Sequence, residues 1–282
     1  MVNSYLNIIT FLLTTLFYYF AIKPHITYEI LINPTKLQEY KRDNYMYLAV
    51  YLLLIMIVQF IVNSSIISTT CGGSITENIG AAGVFTFLPW TLIFGVLLIV
   101  LTMFPGFKSA FSDVIGYYWV SSSANKLITE LLIDTNVQKS LDADTVSTIK
   151  QKEELQSAAE AIIKICGNTA VLINQIVPDN FNNYWNILQP LMKPKYKVAG
   201  PETTSMKNAL FELVVTKDNV GESLWYIYTG LLLTSIVQLK ITTRGCVSNS
   251  ATMEKNYQTF LEAEQTAADK TQLATGTTYT QS

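Results

Sequence analysis

The sequence predicts an all-α integral membrane protein with about four transmembrane helices, a helical domain on one side and an amphipathic interfacial helix. Half of the 282 residues are hydrophobic and only 14% are charged, against roughly 25% in an ordinary soluble domain. Residues 83–104 read GVFTFLPWTLIFGVLLIVLTMF and contain no ionisable side chain. A spanning helix needs about 20 apolar residues, because each residue rises only about 1.5 Å. This run therefore predicts a transmembrane helix.

Three further spans are predicted around it. Residues 5–22 and 45–62 lack charged side chains and approach the minimum spanning length of about 18 residues, so we place the first two spans at 1–22 and 45–62. The first run could be a signal peptide, but no basic residue precedes it and aromatic residues stand near its end, which favours a retained anchor. Residues 223–239 are more polar yet uncharged, and they predict a fourth span over 223–241.

Aromatic residues near the ends of these runs are expected to anchor the protein at headgroup level, where amphipathic rings are enriched. The candidates are Trp90, Trp225 and Tyr226. The connections set the orientation: residues 23–44 are basic, whereas 63–82, which include Cys71, lack lysine and arginine. Because basic loops stay cytosolic, we expect 23–44 and the long segment after the third span on the cytosolic side.

An amphipathic helix is predicted over 105–121, directly after the third span. Its apolar side chains recur at helical spacing, whereas Lys108, Ser112 and Asp113 fall on another face. Such a face can lie along the headgroups or contact a partner, or it can pack on the protein's own domain. The residues of this face are Phe107, Phe111, Ile115, Tyr118 and Trp119.

The helical extramembrane domain is assigned to residues 122–222. We expect helices over 145–166, 169–177, 180–192 and 203–216, with an irregular loop at 193–201 where proline, glycine and lysine accumulate. The tail, 242–282, is predicted to hold a short helix near 251–268 and a disordered Thr/Gln-rich end from residue 271.

The composition gives few indications of a catalytic, metal-binding or nucleic-acid-binding site. A net charge of −2 without a basic patch gives no case for nucleic-acid binding, and one histidine cannot build a His-rich metal site. Asp142 and Asp144 have the spacing of an acidic metal pair, but aspartate is also favoured at helix starts and no further ligand follows. We therefore predict no catalytic, cofactor-binding or metal site and no enzymatic activity.

The predicted spans contain no ionisable residue, although transporters normally place such residues along their path. Gln59 and Gln238 are their strongest polar groups, and hydrogen bonds between helices explain these adequately. Asn63 begins a glycosylation sequon, but because it adjoins a span we expect it buried or interfacial. A structural protein is favoured over a small channel or transporter.

Two cysteines are candidates for a disulfide. With four spans, Cys71 and Cys246 lie near the same membrane face and Cys166 near the other. The non-cytosolic face is oxidising if the membrane derives from the secretory pathway, which favours a Cys71–Cys246 bond. The alternative is two free thiols that act as small buried hydrophobes.

Two blocks of the sequence contain recognisable motifs. The first block has CGG (71–73), FLPWTLIFG (87–95) and FPGFKSAFSDVIGY (104–117), and the second has KDNVGESLWY (217–226), TG (229–230) and RGC (244–246), with Met253 and Tyr257. These blocks resemble a multi-spanning inner-membrane, minor-capsid-associated protein family of large icosahedral double-stranded DNA viruses of algae and protists, of the phycodnavirus or mimivirus kind. The chain has Phe107 where the family has tryptophan and Ala110 where it has proline.

The resemblance implies a structural virion protein that anchors the viral inner membrane to the capsid layer. Its expected partners are the lipid bilayer, minor or major capsid proteins and, in a homo-oligomer, further copies of itself. It would be inserted through host endomembranes, and the family implies no cofactor. A small membrane channel or transporter is the alternative function.

Overall fold

A computed structural model describes residues 5–71, 75–132, 168–243 and 250–275. These residues are almost entirely helical, and an isolated bridge between Leu132 and Met192 is their one β-type pairing. The helices are α1 (Leu6–Phe17), α2 (Tyr28–Ile32), α3 (Pro34–Cys71), α4 (Ile75–Pro89), α5 (Val96–Met103), α6 (Ser109–Phe111), α7 (Tyr117–Leu131), α8 (Thr169–Gln175), α9 (Phe181–Leu188), α10 (Pro194–Lys197), α11 (Pro201–Thr243) and α12 (Ser250–Thr275).

Three helical stretches of the described residues are long and apolar enough to cross a membrane: Pro34–Thr70, Ile79–Met103 and Pro201–Thr243. They contain the predicted second, third and fourth spans. Leu6–Ile22, in the predicted first span, is apolar but shorter. Membrane-spanning helices are thus supported, and the count of four stays a prediction.

The helices extend further than the hydropathy pattern indicated. α3 begins at Pro34 and ends at Cys71, so it takes up part of both predicted connections. α11 continues without a break through Gly221, in the gap between the predicted helix at 203–216 and the predicted fourth span at 223–241. Polar residues at the ends of an apolar run do not interrupt backbone hydrogen bonding, which is why the helices continue. The predicted loop at 193–201 likewise contains the single turn Pro194–Lys197.

A π-helical turn interrupts the α-helix in the middle of the third span. α4 ends at Pro89, a π-helical turn follows over Trp90–Gly95, and α5 resumes at Val96. Proline has no N–H for the helical ladder, and such breaks are commonly absorbed by a wider turn. The predicted interfacial helix is also subdivided, into a 3₁₀ turn over Pro105–Lys108, the short α6, a π turn over Ser112–Gly116 and then α7.

An aromatic core joins α1, α3, the third span and α11. The rings of Tyr18 and Tyr51 stack with their centroids 4.2 Å apart, and Phe11 meets Phe94 edge to face at 6.0 Å. Gly230 lies directly against the Phe11 ring, so a larger side chain there would occupy the position of the ring. The buried members of this core are Phe11, Tyr18, Tyr51, Ile55, Trp90, Phe94, Leu98, Leu101, Tyr226 and Leu233.

A row of hydrogen-bonded polar side chains joins α1, α3 and α4 within the helix bundle. Asn7 donates to Asn63 Oδ1 at 3.0 Å, and Asn63 in turn donates to Thr86 Oγ1 at 2.8 Å. Gln59 donates to the Asn7 carbonyl oxygen at 3.1 Å. The predictions that Gln59 bonds another helix and that Asn63 is buried are both confirmed.

The helical domain, predicted to lie outside the membrane, packs α7, α8, α9 and the N-terminal half of α11 around one apolar core. Tyr28 of α2 joins this core, and its hydroxyl donates to Asn182 Oδ1 at 2.9 Å. Residues 23–33 and the domain therefore lie at the same end of the bundle. Which side of a membrane that end faces stays a prediction.

Several predictions fall outside the described residues. These are the helix at 145–166, the acidic pair Asp142 and Asp144, and the bond between Cys71 and Cys246, of which Cys246 is not described. In the tail, α12 spans Ser250–Thr275, so this helix is longer than the one predicted near 251–268. The helix-forming residues of α12 continue past the predicted stop.

Candidate functional site

The segment after the third span packs closely along α11, and two glycines allow the approach. A Cβ atom at Gly116 would lie 2.5 Å from the Lys217 carbonyl oxygen, and one at Gly221 would lie 2.6 Å from Ser112 Cβ. Separations this short exclude any side chain larger than hydrogen. We call this contact between residues 105–117 and 217–226 the seam.

Four charged side chains form a buried ion cluster at one end of the seam. Glu222 binds two lysines: it pairs with Lys23, and its Oε2 lies 2.9 Å from Lys108 Nζ. Lys108 Nζ also lies 2.9 Å from Asp218 Oδ2. The side chains of Lys23 and Glu222 are only 8% and 11% exposed. We call Lys23, Lys108, Asp218 and Glu222 the ion cluster.

Neighbouring polar groups form hydrogen bonds with the charged groups of this cluster. The Tyr19 hydroxyl donates to Glu222 Oε1 at 3.1 Å, and Lys23 donates to Asn219 Oδ1 at 2.8 Å. Buried charges are tolerated when they are paired and hydrogen-bonded, and removal of one partner is strongly destabilising. The cluster ties the end of the first apolar helix and the end of the third span to α11.

The two lysines respond to this environment in opposite directions. Burial lowers the pKa of the Lys23 ammonium below its ordinary value, although the nearby Glu222 carboxylate acts the other way. Burial also disfavours the charged form of Lys108, but the carboxylates of Glu222 and Asp218 outweigh it and raise its pKa above the ordinary value. Lys108 is therefore the cation that the two carboxylates hold most firmly.

A second ion pair, between buried Lys217 and half-buried Asp113, links the seam to the helical domain. Lys217 Nζ lies 3.3 Å from Asp113 Oδ1 and donates to the Asn174 carbonyl oxygen at 3.3 Å. The Asn174 side-chain amide donates to the Asp113 carbonyl oxygen at 2.8 Å. α8 is thereby fixed to the same junction as the spans.

The predicted aromatic face of residues 107–119 is mostly exposed, and its Phe111 packs against the seam. Tyr118 and Trp119 are 80% and 72% exposed, and Phe107 and Ile115 are exposed as well. Phe111 is half-buried because its ring packs edge to face on Trp225, with the centroids 5.0 Å apart. Four of the five predicted side chains are therefore exposed beside the seam.

The three predicted interface anchors lie in different surroundings. Trp225 is half-buried, and its Nε1 donates to the Phe107 carbonyl oxygen at 2.9 Å. Trp90 and Tyr226 are buried in the aromatic core, so their rings do not reach the surface of the described protein. Hydropathy indicates how far along a span a residue lies. When the run is apolar on every face, it does not indicate which face points into the protein, and this explains the difference.

Sequence reasoning missed the ion cluster, because its members flank the apolar runs and are far apart in the chain. One local signal was present: Asp218 and Glu222 are four residues apart, on one face of a helix. Lys23 and Lys108 follow the ends of two apolar runs closely. The pattern gave no reason to bring these two helix ends to the middle of α11.

The described residues contain no cluster of three or more histidine, cysteine, aspartate or glutamate side chains that could hold a metal ion. The charges at the seam neutralise one another, so the arrangement fixes helices in place. Two of the stretches in which the sequence resembles the viral family, 104–117 and 217–226, contact each other in this seam. No protein family, curated protein or solved structure matches the chain.

Proposed function

We propose that the protein is a structural membrane protein that anchors the inner membrane of a virus particle to its capsid layer. The observation that carries this proposal is the exposed aromatic face of Phe107, Ile115, Tyr118 and Trp119 at the junction of bundle and domain. Exposed apolar patches mark contacts with a membrane or another protein. Aromatic residues are enriched in protein interfaces.

The seam gives this face a mechanical role. Glu222 and Lys108 hold the segment that carries the aromatic residues to α11, which continues into the bundle. Because buried, hydrogen-bonded ion pairs have few alternative arrangements, a load on the aromatic face passes to the spans. The spans anchor the protein, and the face and the domain contact the capsid layer.

Site-specific photo-crosslinking tests this proposal. A photoreactive amino acid is placed at Tyr118 or Trp119, and a control is placed at Ile187, which is exposed on α9 of the domain. In assembled particles we expect the first two positions to crosslink to capsid-layer proteins far more than the control. Crosslinks to lipid alone at Tyr118 and Trp119 would contradict a partner-binding role for this face.

A small channel or transporter is the second candidate, favoured by a polar cavity of about 250 Å³ beside the ion cluster. Ion flux across reconstituted liposomes separates the two functions. We expect no conductance above empty liposomes. A selective current that is lost on changing Gln59, which lies in the polar row of the bundle, would support the channel instead.

A further inference from the structure

Two adjoining cavities open where the bundle meets the extramembrane domain. One is the polar cavity of about 250 Å³ beside the ion cluster. The other is an apolar groove of about 470 Å³ along α3 and α5. Tyr45, Leu48 and Thr102 line both, so the polar cavity and the apolar groove lie side by side and share one wall.

The groove has the character of a site for an acyl chain. Leu52, Val96 and Ile99 line it, and both walls belong to helices long and apolar enough to span a membrane. An empty groove forfeits dispersion contacts, and within a bilayer the hydrocarbon chain of a lipid fills it.

The charges of the polar cavity are mostly paired within the protein. The four members of the ion cluster neutralise one another, and Asp113 pairs with Lys217. Lys41 and Asp179 also line the cavity. Both are exposed, and neither has an ion pair or hydrogen bond among the described residues. The cavity therefore offers one cation and one anion to a ligand.

The cavity wall also carries unsatisfied acceptors. Asn44 Oδ1 and Asn174 Oδ1 are buried without a hydrogen-bond partner among the described residues, and both residues line the cavity. Unpaired buried polar groups carry a desolvation cost. A ligand that brings N–H donors would relieve it.

We propose that this site binds one phospholipid with a phosphoethanolamine headgroup. An acyl chain lies in the groove against Leu52 and Val96, and the phosphate faces Lys41. The ammonium faces Asp179 and donates to the amide oxygens. Phosphatidylcholine carries the same charges but its quaternary ammonium has no N–H, and phosphatidylglycerol has no cation for Asp179.

Native mass spectrometry of the full chain in detergent tests the proposal. The protein is incubated separately with phosphatidylethanolamine, phosphatidylcholine or phosphatidylglycerol at equal concentration, and bound lipid is counted as collision energy rises. We expect one phosphatidylethanolamine per chain, retained several-fold more than either competitor. Equal retention of the three lipids, or stronger retention of phosphatidylglycerol, would overturn the assignment.

Matched variants locate the lipid. Lys41→Gln and Asp179→Asn should each reduce the preference for phosphatidylethanolamine, whereas Arg42→Gln, also exposed but outside the cavity, should not. Ala49→Phe fills the groove and should lower retention of all three lipids. Val50→Phe changes an exposed neighbour outside the groove and should leave retention unchanged. If Ala49→Phe behaves like Val50→Phe, the groove is not the binding site.

Discussion

Replacement of Glu222 by glutamine tests the ion cluster most sharply. The substitution keeps the size of the side chain but removes the charge that Lys23 and Lys108 share. Loss of one partner of a buried pair costs about 3–5 kcal/mol, because the remaining charge stays buried without compensation. Since Lys108 keeps Asp218, we expect a value near the lower end of this range.

Thermal unfolding in detergent, followed by tryptophan fluorescence, measures this effect. About 3 kcal/mol corresponds to a fall in Tm of about 6–12 °C, taking about 2–4 °C per kcal/mol for chains of this size. Asp43→Asn is the control, because its pair with Arg42 is exposed and surface pairs contribute only about 0–1 kcal/mol.

A double variant separates the loss of charge from a general disturbance. Lys23→Met combined with Glu222→Gln should unfold at a higher temperature than Glu222→Gln alone, because no unpaired ammonium is left at position 23. A Tm for Glu222→Gln within the range of the Asp43→Asn control would refute the reasoning. The ion cluster would then contribute nothing measurable to the junction.

Two further predictions concern helix contacts. Gly221→Ala places a Cβ 2.6 Å from that of Ser112 and should lower the free energy of unfolding by about 1–3 kcal/mol through overpacking. The control Gly80→Ala, with no atom within 4 Å of its Cβ, should leave the Tm unchanged or higher. Equal effects of the two substitutions would contradict the close contact at the seam. Asn63→Leu leaves two buried groups without their hydrogen-bond partner and should lower the free energy of unfolding by about 1–3 kcal/mol. Ser65→Leu, on the exposed side of the same helix, should not lower it. Equal unfolding temperatures of the two variants would contradict a structural role for the polar row.

The apolar helices could be predicted because lipid imposes a condition on single segments. A spanning stretch must be apolar along its whole length, and residues 83–104 meet that condition without reference to any other part of the chain. The spacing of Tyr118 and Trp119 likewise separates them from Lys108 and Asp113, and the structure leaves the aromatic pair exposed and the charged pair at the seam.

The seam could not be predicted because it depends on pairs distant in sequence. Lys23 and Glu222 are 199 residues apart, and Lys108 and Asp218 are 110 apart. A charge beside an apolar run usually marks the end of a span and faces water, so the sequence offered no reason to bury these four. The interior position of Trp90 was equally hidden, since its surroundings are apolar on every side of the helix.

The location of the protein in purified virus particles tests the proposed function most directly. Particles are stripped stepwise with a mild detergent, and each fraction is probed for this chain, for lipid and for capsid proteins. We expect the chain to be present in the particle and to be released together with the inner membrane or with minor capsid proteins. Its absence from particles, with retention in the membranes of the producing cell, would rule out the proposed function.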